Sequence, residues 1–319
     1  MKSNKTAAAL LGVALGDAVG VPYEFKGAAE MKKNPAKDMT GYGTYHQPPG
    51  TWSDDSSLTF CLATSLLNGY DLKDISKKFI SWKEEAYWSA RGELFDIGNT
   101  TARAIDRLKD LCNSNNIQEL KNQKYYGNET ENGNGSLMRI LPLLFFIKGK
   151  SIKEQFNIIW EVSALTHRHI RAAMSCLIYL KLAEKILEGF GKHEGYLLVQ
   201  KEIIRFWEEI SFAAAEQNHF EKTIKQNIAT LTKEEIKSGG YVIESLEASI
   251  WCFLNQNNFK DTILSAVNLG HDTDTTAAIA GGLAGLYYGT ENIPEFWIAS
   301  IARMEDIIDL GNQLHKKYF

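Results

Sequence analysis

The chain has 319 residues, 44% of them apolar, which is enough to bury a large core, and we expect one domain spanning residues 1–319. Its formal net charge of −4 at pH 7 provides no basic field for a nucleic-acid backbone, so nucleic acid is disfavoured as a partner. The four cysteines lie far apart, which excludes a CxxC zinc or redox pair and favours a reducing, cytoplasmic environment.

The N-terminal segment has lysine followed by an apolar run from Ala7 to Leu15, a pattern that resembles the start of a secretory signal. We reject a signal peptide because the run is short, Gly12 interrupts it and no A-x-A cleavage site follows. No other stretch approaches the roughly 20 apolar residues of a membrane span. The sequence therefore predicts a soluble protein without a membrane partner.

Apolar residues recur at helical spacing along most of the chain, whereas alternation of period two is almost absent. Ser151 and Glu154 form a capping signature in front of one such apolar face. The segments with this helical pattern are 71–89, 151–162, 171–189, 199–215, 240–255 and 296–310. The sequence predicts an all-α fold, with surface loops near a site at 28–52 and 113–135, where Gly, Asn and Pro are frequent.

Two acidic clusters, WSDDSS at 52–57 and HDTDTT at 271–276, each precede a strongly apolar helical stretch. Helix capping alone could explain either cluster, since Asp, Ser and Thr are good N-caps and a carboxylate there stabilises the helix by about 0.3–1 kcal/mol. Capping needs only one such residue, however, and each cluster places several oxygen-bearing side chains in a row. Each cluster therefore has more oxygen-bearing side chains than helix capping requires.

If the two helix starts converge in space, Asp54, Asp55, Asp272 and Asp274 meet. At an effective dielectric near 20, each like-charge pair about 4 Å apart costs on the order of 4 kcal/mol, which only cations or protonation can relieve. All the candidate ligand atoms are oxygens, and this favours a hard ion such as Mg²⁺ or Mn²⁺ over zinc. Four carboxylates would balance roughly two divalent ions. An EF-hand is excluded because its D-x-D-x-D-G loop is absent.

The stretch DTDTT also fits the D-x-D-x-T nucleophile motif of haloacid-dehalogenase-like phosphatases. That motif normally follows a buried strand near the start of a doubly wound domain. Here it lies near residue 270, in a chain without alternating strands and helices, so the phosphatase is the less favoured interpretation. The following segment, 277–285, is nearly all Ala and Gly and predicts close packing against another helix.

Taken in order, the motifs resemble those of the ADP-ribosylglycohydrolase family. The matching blocks are GVALGDAVGVPYEF (12–25), GTWSDDSSLTFCLA (50–63), FDIGNTTARAI (95–105), NGNGSLMRILPL (132–143), LTHRH (165–169) and AVNLGHDTDTTAAIAGGLAGLYYG (266–289). The departures are mild. Ser53 stands where many members have threonine, and His271 stands where glycine is frequent. Ile170 stands where proline often follows the second histidine. Serine keeps the oxygen ligand, and His271 bears on substrate choice more than on chemistry.

The resemblance implies a single compact, orthogonal multi-helix domain with two Mg²⁺ or Mn²⁺ ions between helix N-termini. It implies Glu24 as the acid/base, with Asp55 and Asp96 as further catalytic residues, and Asp17 as a support of the loop. The metal ligands that it implies are Ser53, Asp54, Asp55, Asp272, Asp274 and Thr275.

A second set of candidate residues would bind the rest of an ADP-ribose ligand. In GNGSLMR, Gly133 and Gly135 permit a turn whose backbone N–H groups can face a diphosphate, with Ser136 and Arg139 as further donors. His167 could donate to a phosphate and is favoured over His169. The residues that the resemblance adds are Gly98, Asn99, Met138 and Tyr241, the last as a surface for adenine. A plain glycine turn, a helix-terminal histidine and a core tyrosine remain the alternatives.

The reaction implied is hydrolysis at the anomeric carbon of the ribose distal to adenosine, through an oxocarbenium-like state that nearby carboxylates stabilise. Whether Glu24 activates water or protonates the leaving group stays open, as does the acceptor that carries ADP-ribose, whether protein or small molecule. A monomer is expected. The alternative function is a non-catalytic ADP-ribose-binding or structural relative, against which the presence of Glu24 and all four aspartates argues.

Overall fold

The computed structural model describes residues 4–114 and 116–319, and within these residues the chain forms α-helices and short 3₁₀ or π turns without a β-strand. The helices are α1 (Lys5–Gly20), α2 (Ala28–Lys33), α3 (Asp54–Leu66), α4 (Leu72–Glu85), α5 (Asn99–Asn113), α6 (Ile117–Asn122), α7 (Leu143–Ile147), α8 (Ile152–Ala164), α9 (Ile170–Glu188), α10 (Lys192–Glu209), α11 (Ala214–Asn218), α12 (Val242–Asn255), α13 (Phe259–Val267), α14 (Thr273–Tyr288), α15 (Glu295–Ser300) and α16 (Met304–Tyr318). The all-α prediction is confirmed.

Helix α1 lies at the centre of the molecule and packs lengthwise against α14, while it also contacts α3, α13 and α16. The stretch Lys5–Tyr23 has the length and apolar composition of a membrane span, and 94% of an 18-residue window within it is buried inside the protein. This stretch is longer than the apolar run from Ala7 to Leu15 that the sequence analysis identified. Its hydropathy is accounted for by burial on all sides of the helix.

Glycines spaced four residues apart allow α1 and α14 to touch backbone to backbone. A Cβ on Gly12 would lie 2.2 Å from the carbonyl oxygen of Gly281, and a Cβ on Gly16 would lie 2.0 Å from that of Ala277. Near the end of α1, a Cβ on Gly20 would lie 2.3 Å from the Cα of Asp274. The predicted close packing of segment 277–285 is therefore confirmed, and its partner is the first helix.

Several helix ends differ from the predicted ones because tertiary contacts override the apolar periodicity. The helix predicted over 296–310 is two helices, α15 and α16, with Arg303 at a φ of +50° between them. At this break the Arg303 guanidinium lies over the Trp88 ring, 4.2 Å from its centroid, and donates to the Ser89 carbonyl (3.1 Å). The chain leaves the helical path to make these contacts.

The other differences are shorter. The helix predicted over 71–89 ends at Glu85, where Ala86 takes a φ of +54°, and the one predicted over 199–215 is α10, which ends before Ser211 at a φ of +52°. The predicted loops 28–52 and 113–135 contain the short helices α2 and α6. The capping signature is confirmed, since the Ser151 backbone N–H donates to Glu154 (3.0 Å) and the Ser151 hydroxyl accepts from the Glu154 N–H (3.4 Å).

We expect Gly16→Ser to lower the free energy of unfolding by about 1–3 kcal/mol, because the new side chain meets the backbone of α14, which cannot yield locally. The matched control is Gly191→Ser, since a Cβ on Gly191 meets nothing within 4 Å and serine is a good cap for the start of α10. Urea denaturation of both variants measures the difference. Equal stability would contradict the close approach.

Candidate active site

The two acidic helix starts meet at one end of α1. Helix α3 begins at Asp54 and α14 begins at Thr273, whose hydroxyl donates to the carbonyl of Gly20 at the end of α1 (2.8 Å). Carboxylate oxygens of Asp17, Asp55 and Asp274 all lie within 4.8 Å of one another. The predicted convergence of the two clusters is confirmed.

A second group of carboxylates overlaps the first. Oxygens of Glu24, Asp272 and Asp274 also lie within 4.8 Å of one another, so Asp274 belongs to both groups. Glu24 follows a 3₁₀ turn at the end of α1, and Asp272 precedes the first residue of α14. Chain segments that are far apart in sequence therefore supply one continuous acidic floor.

Asp17 serves the start of α3. Its carboxylate accepts from the backbone N–H of Ser53 (2.9 Å) and of Ser56 (3.0 Å), and from the Ser56 hydroxyl (2.6 Å). These bonds satisfy N–H groups that the first turn of a helix leaves without a partner. Burial still raises the pKa of Asp17 to about 6. The expected support role of Asp17 has a physical basis in these bonds.

Other carboxylate oxygens of the floor have no such partners. Each is buried, and within residues 4–114 and 116–319 none has a hydrogen-bond donor. A buried oxygen without a partner is costly, so several of them facing one another form a set of donor atoms for a hard cation. The atoms are Glu24 Oε2, Asp55 Oδ1, Asp272 Oδ1 and Asp274 Oδ2.

The electrostatics of the floor agree with this geometry. Burial, reinforced by the neighbouring carboxylates, raises the pKa of Asp54, Asp55 and Asp274 well above the usual range of an aspartate. Burial and then Asp96 raise the pKa of Glu24 to about 8. The floor therefore needs either protons or positive ions to be stable.

Tyr45 is a site residue that the sequence did not indicate. Tyr45 lies beside Glu24 and Asp96, and burial, followed by these two acids, raises the pKa of the Tyr45 phenol. Tyr45 lies in the loop expected near a site, but no motif marks it.

A cleft of about 380 Å³ lies above the acidic floor. Most of the residues proposed from the sequence line it, and these are Glu24, Asp54, Asp96, Gly98, Asn99, Gly133, Gly135, Met138, His167, Asp272 and Thr275. Asp55 and Asp274 are buried beside the lining, while Ser53 lines a small adjoining cavity and donates to Asp55 (2.9 Å). Lining residues that the sequence did not indicate are Phe25, Ile97, Thr100, Thr101 and Asn134.

The glycine turn at 133–135 is held between His167 and the segment before α12. A Cβ on Gly135 would lie 2.5 Å from the His167 ring, so only glycine fits there. The backbone N–H of Asn134 donates to the Gly240 carbonyl (3.1 Å), and the Asn134 side chain donates to Asp272 (2.7 Å). Asn134 therefore fixes the turn to the acidic floor.

Ser136 and Arg139 require a correction, because neither faces the cleft. The guanidinium of Arg139 is fully buried, donates to the carbonyls of Gly135 and Val162, and lies over the Phe79 ring. Ser136 is also fully buried and accepts from another serine hydroxyl in the core. The two side chains point inward from the turn and support it from behind, so they cannot donate to a ligand in the cleft.

The histidines and Tyr241 differ in position. His167 is buried in the cleft wall, and burial with the nearby Arg139 lowers the pKa of His167 to about 3, which keeps its ring neutral. His169 caps α9 by accepting from the Arg171 N–H (3.2 Å). Tyr241 is half-buried outside the cleft lining, with its hydroxyl 3.5 Å from His219. A role of Tyr241 at adenine stays a prediction.

The DTDTT segment opens α14 directly after α13, in a protein whose described residues contain no strand. A D-x-D-x-T phosphatase needs a buried strand before its motif, so this interpretation is excluded.

Comparison with known proteins identifies the family. The family model described as ADP-ribosylglycohydrolase matches residues 2–319. The ADP-ribosylarginine hydrolase Tri1 of Serratia proteamaculans is 34% identical over 98% of this chain and 79% of its own length. The ADP-ribosyl-[dinitrogen reductase] glycohydrolase of Rhodospirillum rubrum is 27% identical over 92% of this chain and 88% of its own.

A solved structure described as an ADP-ribosylglycohydrolase-related protein complex matches with a TM-score of 0.81 and 27% identity, covering all of both chains. The helical fold, the acidic floor at the two helix starts and the family match along nearly the whole sequence agree with one another. This chain belongs to the ADP-ribosylglycohydrolase family.

Proposed function

We propose that this protein hydrolyses the bond between the distal ribose of ADP-ribose and an acceptor, and that arginine is the acceptor. The observation that carries the proposal is the set of four carboxylate oxygens under a cleft that have no hydrogen-bond partner among the described residues. The name of the Serratia relative, an ADP-ribosylarginine hydrolase, makes arginine the first acceptor to test.

We propose that the acidic floor holds two Mg²⁺ or Mn²⁺ ions, a proposal that its two overlapping carboxylate groups support. The residues that would hold them are Ser53, Asp54, Asp55, Asp272, Asp274 and Thr275. All of these offer oxygen, the donor that such ions prefer. When bound, these ions supply a Lewis acid and lower the pKa of a coordinated water.

Glu24 is the proposed proton carrier. Its raised pKa lets the carboxyl group hold or release a proton near neutral pH, and its Oε2 atom has no partner among the described residues. Asp96, which like Glu24 lies beside Tyr45, provides a second carboxylate that would stabilise positive charge developing on the ribose. Both acids line the cleft.

The glycine turn is the proposed diphosphate site. Gly133 and Gly135 leave room for a ligand to approach the backbone, whose N–H groups favour an anion. The neutral His167 could donate one further hydrogen bond without adding charge. The cleft would then hold the ribose over the carboxylates and the diphosphate at the turn.

The test is release of free ADP-ribose from an ADP-ribosylarginine protein, with Mg²⁺ and with EDTA. We expect turnover that EDTA abolishes and added Mg²⁺ restores. Turnover that persists in EDTA would contradict the metal site. Binding of ADP-ribose without turnover on any linkage would instead favour the non-catalytic alternative.

Glu24→Gln should keep the affinity for ADP-ribose and lower kcat by at least about 100-fold, because the amide cannot transfer the proton. Calorimetric titration with ADP-ribose and initial rates measure the two effects separately. Glu30→Gln, at an exposed position on α2, is the matched control and should behave as the wild type. A Glu24→Gln variant with the normal rate would remove Glu24 from the mechanism.

The metal-free protein should become less stable as the pH rises from about 4 to about 8. Asp17 and Glu24 have pKa values that folding raises from 3.8 to about 6 and from 4.5 to about 8. Each group therefore contributes its full stabilisation at a pH below its pKa in the unfolded chain. This contribution is lost as the pH rises through the pKa of the group in the folded protein. Thermal denaturation in EDTA across this pH range measures the trend, and a Tm that rises with pH would contradict it.

Added Mg²⁺ should raise the Tm, and more so at the alkaline end, where fewer protons compete for the carboxylates. Asp272→Asn should reduce this Mg²⁺-dependent rise while the helical circular dichroism stays unchanged. Asp110→Asn, exposed on α5, is the control and should keep the full rise. A normal Mg²⁺ response in Asp272→Asn would exclude Asp272 as a ligand.

A further inference from the structure

Phe25 presents its ring to solvent at the edge of the cleft. Its side chain is 71% exposed although it is large and apolar, and its φ is +67°. A bulky residue in the left-handed region is strained, so the surrounding structure must hold it there. Such strain collects at functional sites.

The strain at Phe25 is held by a short backbone ladder. The Phe25 N–H donates to the His271 carbonyl (2.7 Å), and the His271 N–H donates to the Lys26 carbonyl (2.7 Å). Gly270, at a φ of +85°, allows this approach, since a Cβ there would lie 2.8 Å from the Lys26 oxygen. The segment that carries Phe25 is thereby tied to the start of α14.

This backbone path separates two neighbouring side chains. Glu24 turns into the acidic floor and is buried, whereas Phe25 turns out over the cleft. The Phe25 ring lies 6.3 Å from the Tyr45 ring, which lies 5.0 Å from the Phe95 ring. We call these three rings the aromatic wall.

Phe25 is the member of the aromatic wall that lines the cleft, together with the glycine turn, whereas Tyr45 and Phe95 lie outside the cleft lining. The turn packs on His167 and Thr101, while the wall is built from the loop that holds Tyr45 and from the segment before Asp96. The acidic floor contacts both, through Asn134 on one side and Tyr45 on the other. If the turn holds the diphosphate, Phe25 is the exposed aromatic side chain of the cleft lining that is left for the acceptor.

We propose that the aromatic wall, with Phe25 as its exposed member, is the acceptor subsite and stacks the guanidinium of an ADP-ribosylated arginine. This inference rests on the proposed function. A guanidinium is planar and cationic, so it binds both an aromatic face and nearby carboxylates. Glu24 and Asp96 line the same cleft as Phe25 and supply these carboxyl groups. An acceptor without a planar cation would gain little from the wall.

The test compares an arginine-linked substrate with free ADP-ribose, which lacks the acceptor. Phe25→Leu keeps the apolar volume and removes the ring. We expect KM for ADP-ribosylarginine to rise about 3- to 30-fold, with a smaller change in kcat and an unchanged inhibition constant for ADP-ribose. Phe25→Tyr, which restores a ring, should restore KM.

The matched control is Tyr42→Leu, because Tyr42 is also aromatic, 61% exposed and at a φ of +65°, but lies outside the cleft lining. It should leave KM and the inhibition constant unchanged. An unchanged inhibition constant in Phe25→Leu also shows that the variant folds.

Three results would overturn the inference while leaving ADP-ribose hydrolysis standing. One is a Phe25→Leu variant with a normal KM for ADP-ribosylarginine. Another is an equal loss of affinity for ADP-ribose itself, which would place Phe25 on the ADP-ribose side of the cleft. The third is a wild-type protein that cleaves other linkages but not arginine, which would leave ADP-ribose hydrolysis standing. Inactivity of the wild type on every linkage would instead overturn the proposed function together with the wall.

Discussion

The close approach of α1 and α14 is the constraint on which the site depends. Gly12 and Gly16 remove the side chains that would hold these helices apart, and Gly281 does the same from the other side. Asp17 lies on α1 and Asp274 on α14, so the distance between their carboxylates follows from the distance between the two backbones. Because packed interiors cannot compress or stretch freely, a wider gap between the helices would disperse the acidic floor.

Two buried acids show how one environment supports two roles. The Asp17 carboxylate accepts hydrogen bonds from Ser53 and Ser56, so its charge stabilises the start of α3. In the part of the chain that the structure describes, Glu24 Oε2 has no hydrogen-bond partner, and Asp96 is an acidic neighbour, so the charge of Glu24 is poorly stabilised there. Both have raised pKa values, but their hydrogen bonding differs. The hydrogen bonds distinguish Asp17, which supports the start of α3, from Glu24, which we propose as the proton carrier.

The sequence was informative for those parts of the site that consist of residues adjacent in the chain. The acidic helix starts could be predicted because their oxygen-rich residues stand directly before apolar helices. Tyr45 and Asn134 could not be predicted as site residues. Their partners come from distant segments, and no sequence pattern marks the phenol or the amide that contacts these partners. Arg139 was placed wrongly, since a turn motif does not say which side chains face the ligand. The break at Arg303 depends on Trp88, far away in the chain.

The pairing of α1 with α14 also determines when the enzyme can be completed. The hydrogen bond from Thr273 to Gly20 joins residues 253 positions apart, so α1 is synthesised long before its main partner. Contacts of such separation are slow to form, and an apolar helix waiting for them is open to aggregation and to chaperones. The acidic floor cannot assemble on a growing chain until α14 has emerged. Completion of the site is thus tied to the synthesis of α14.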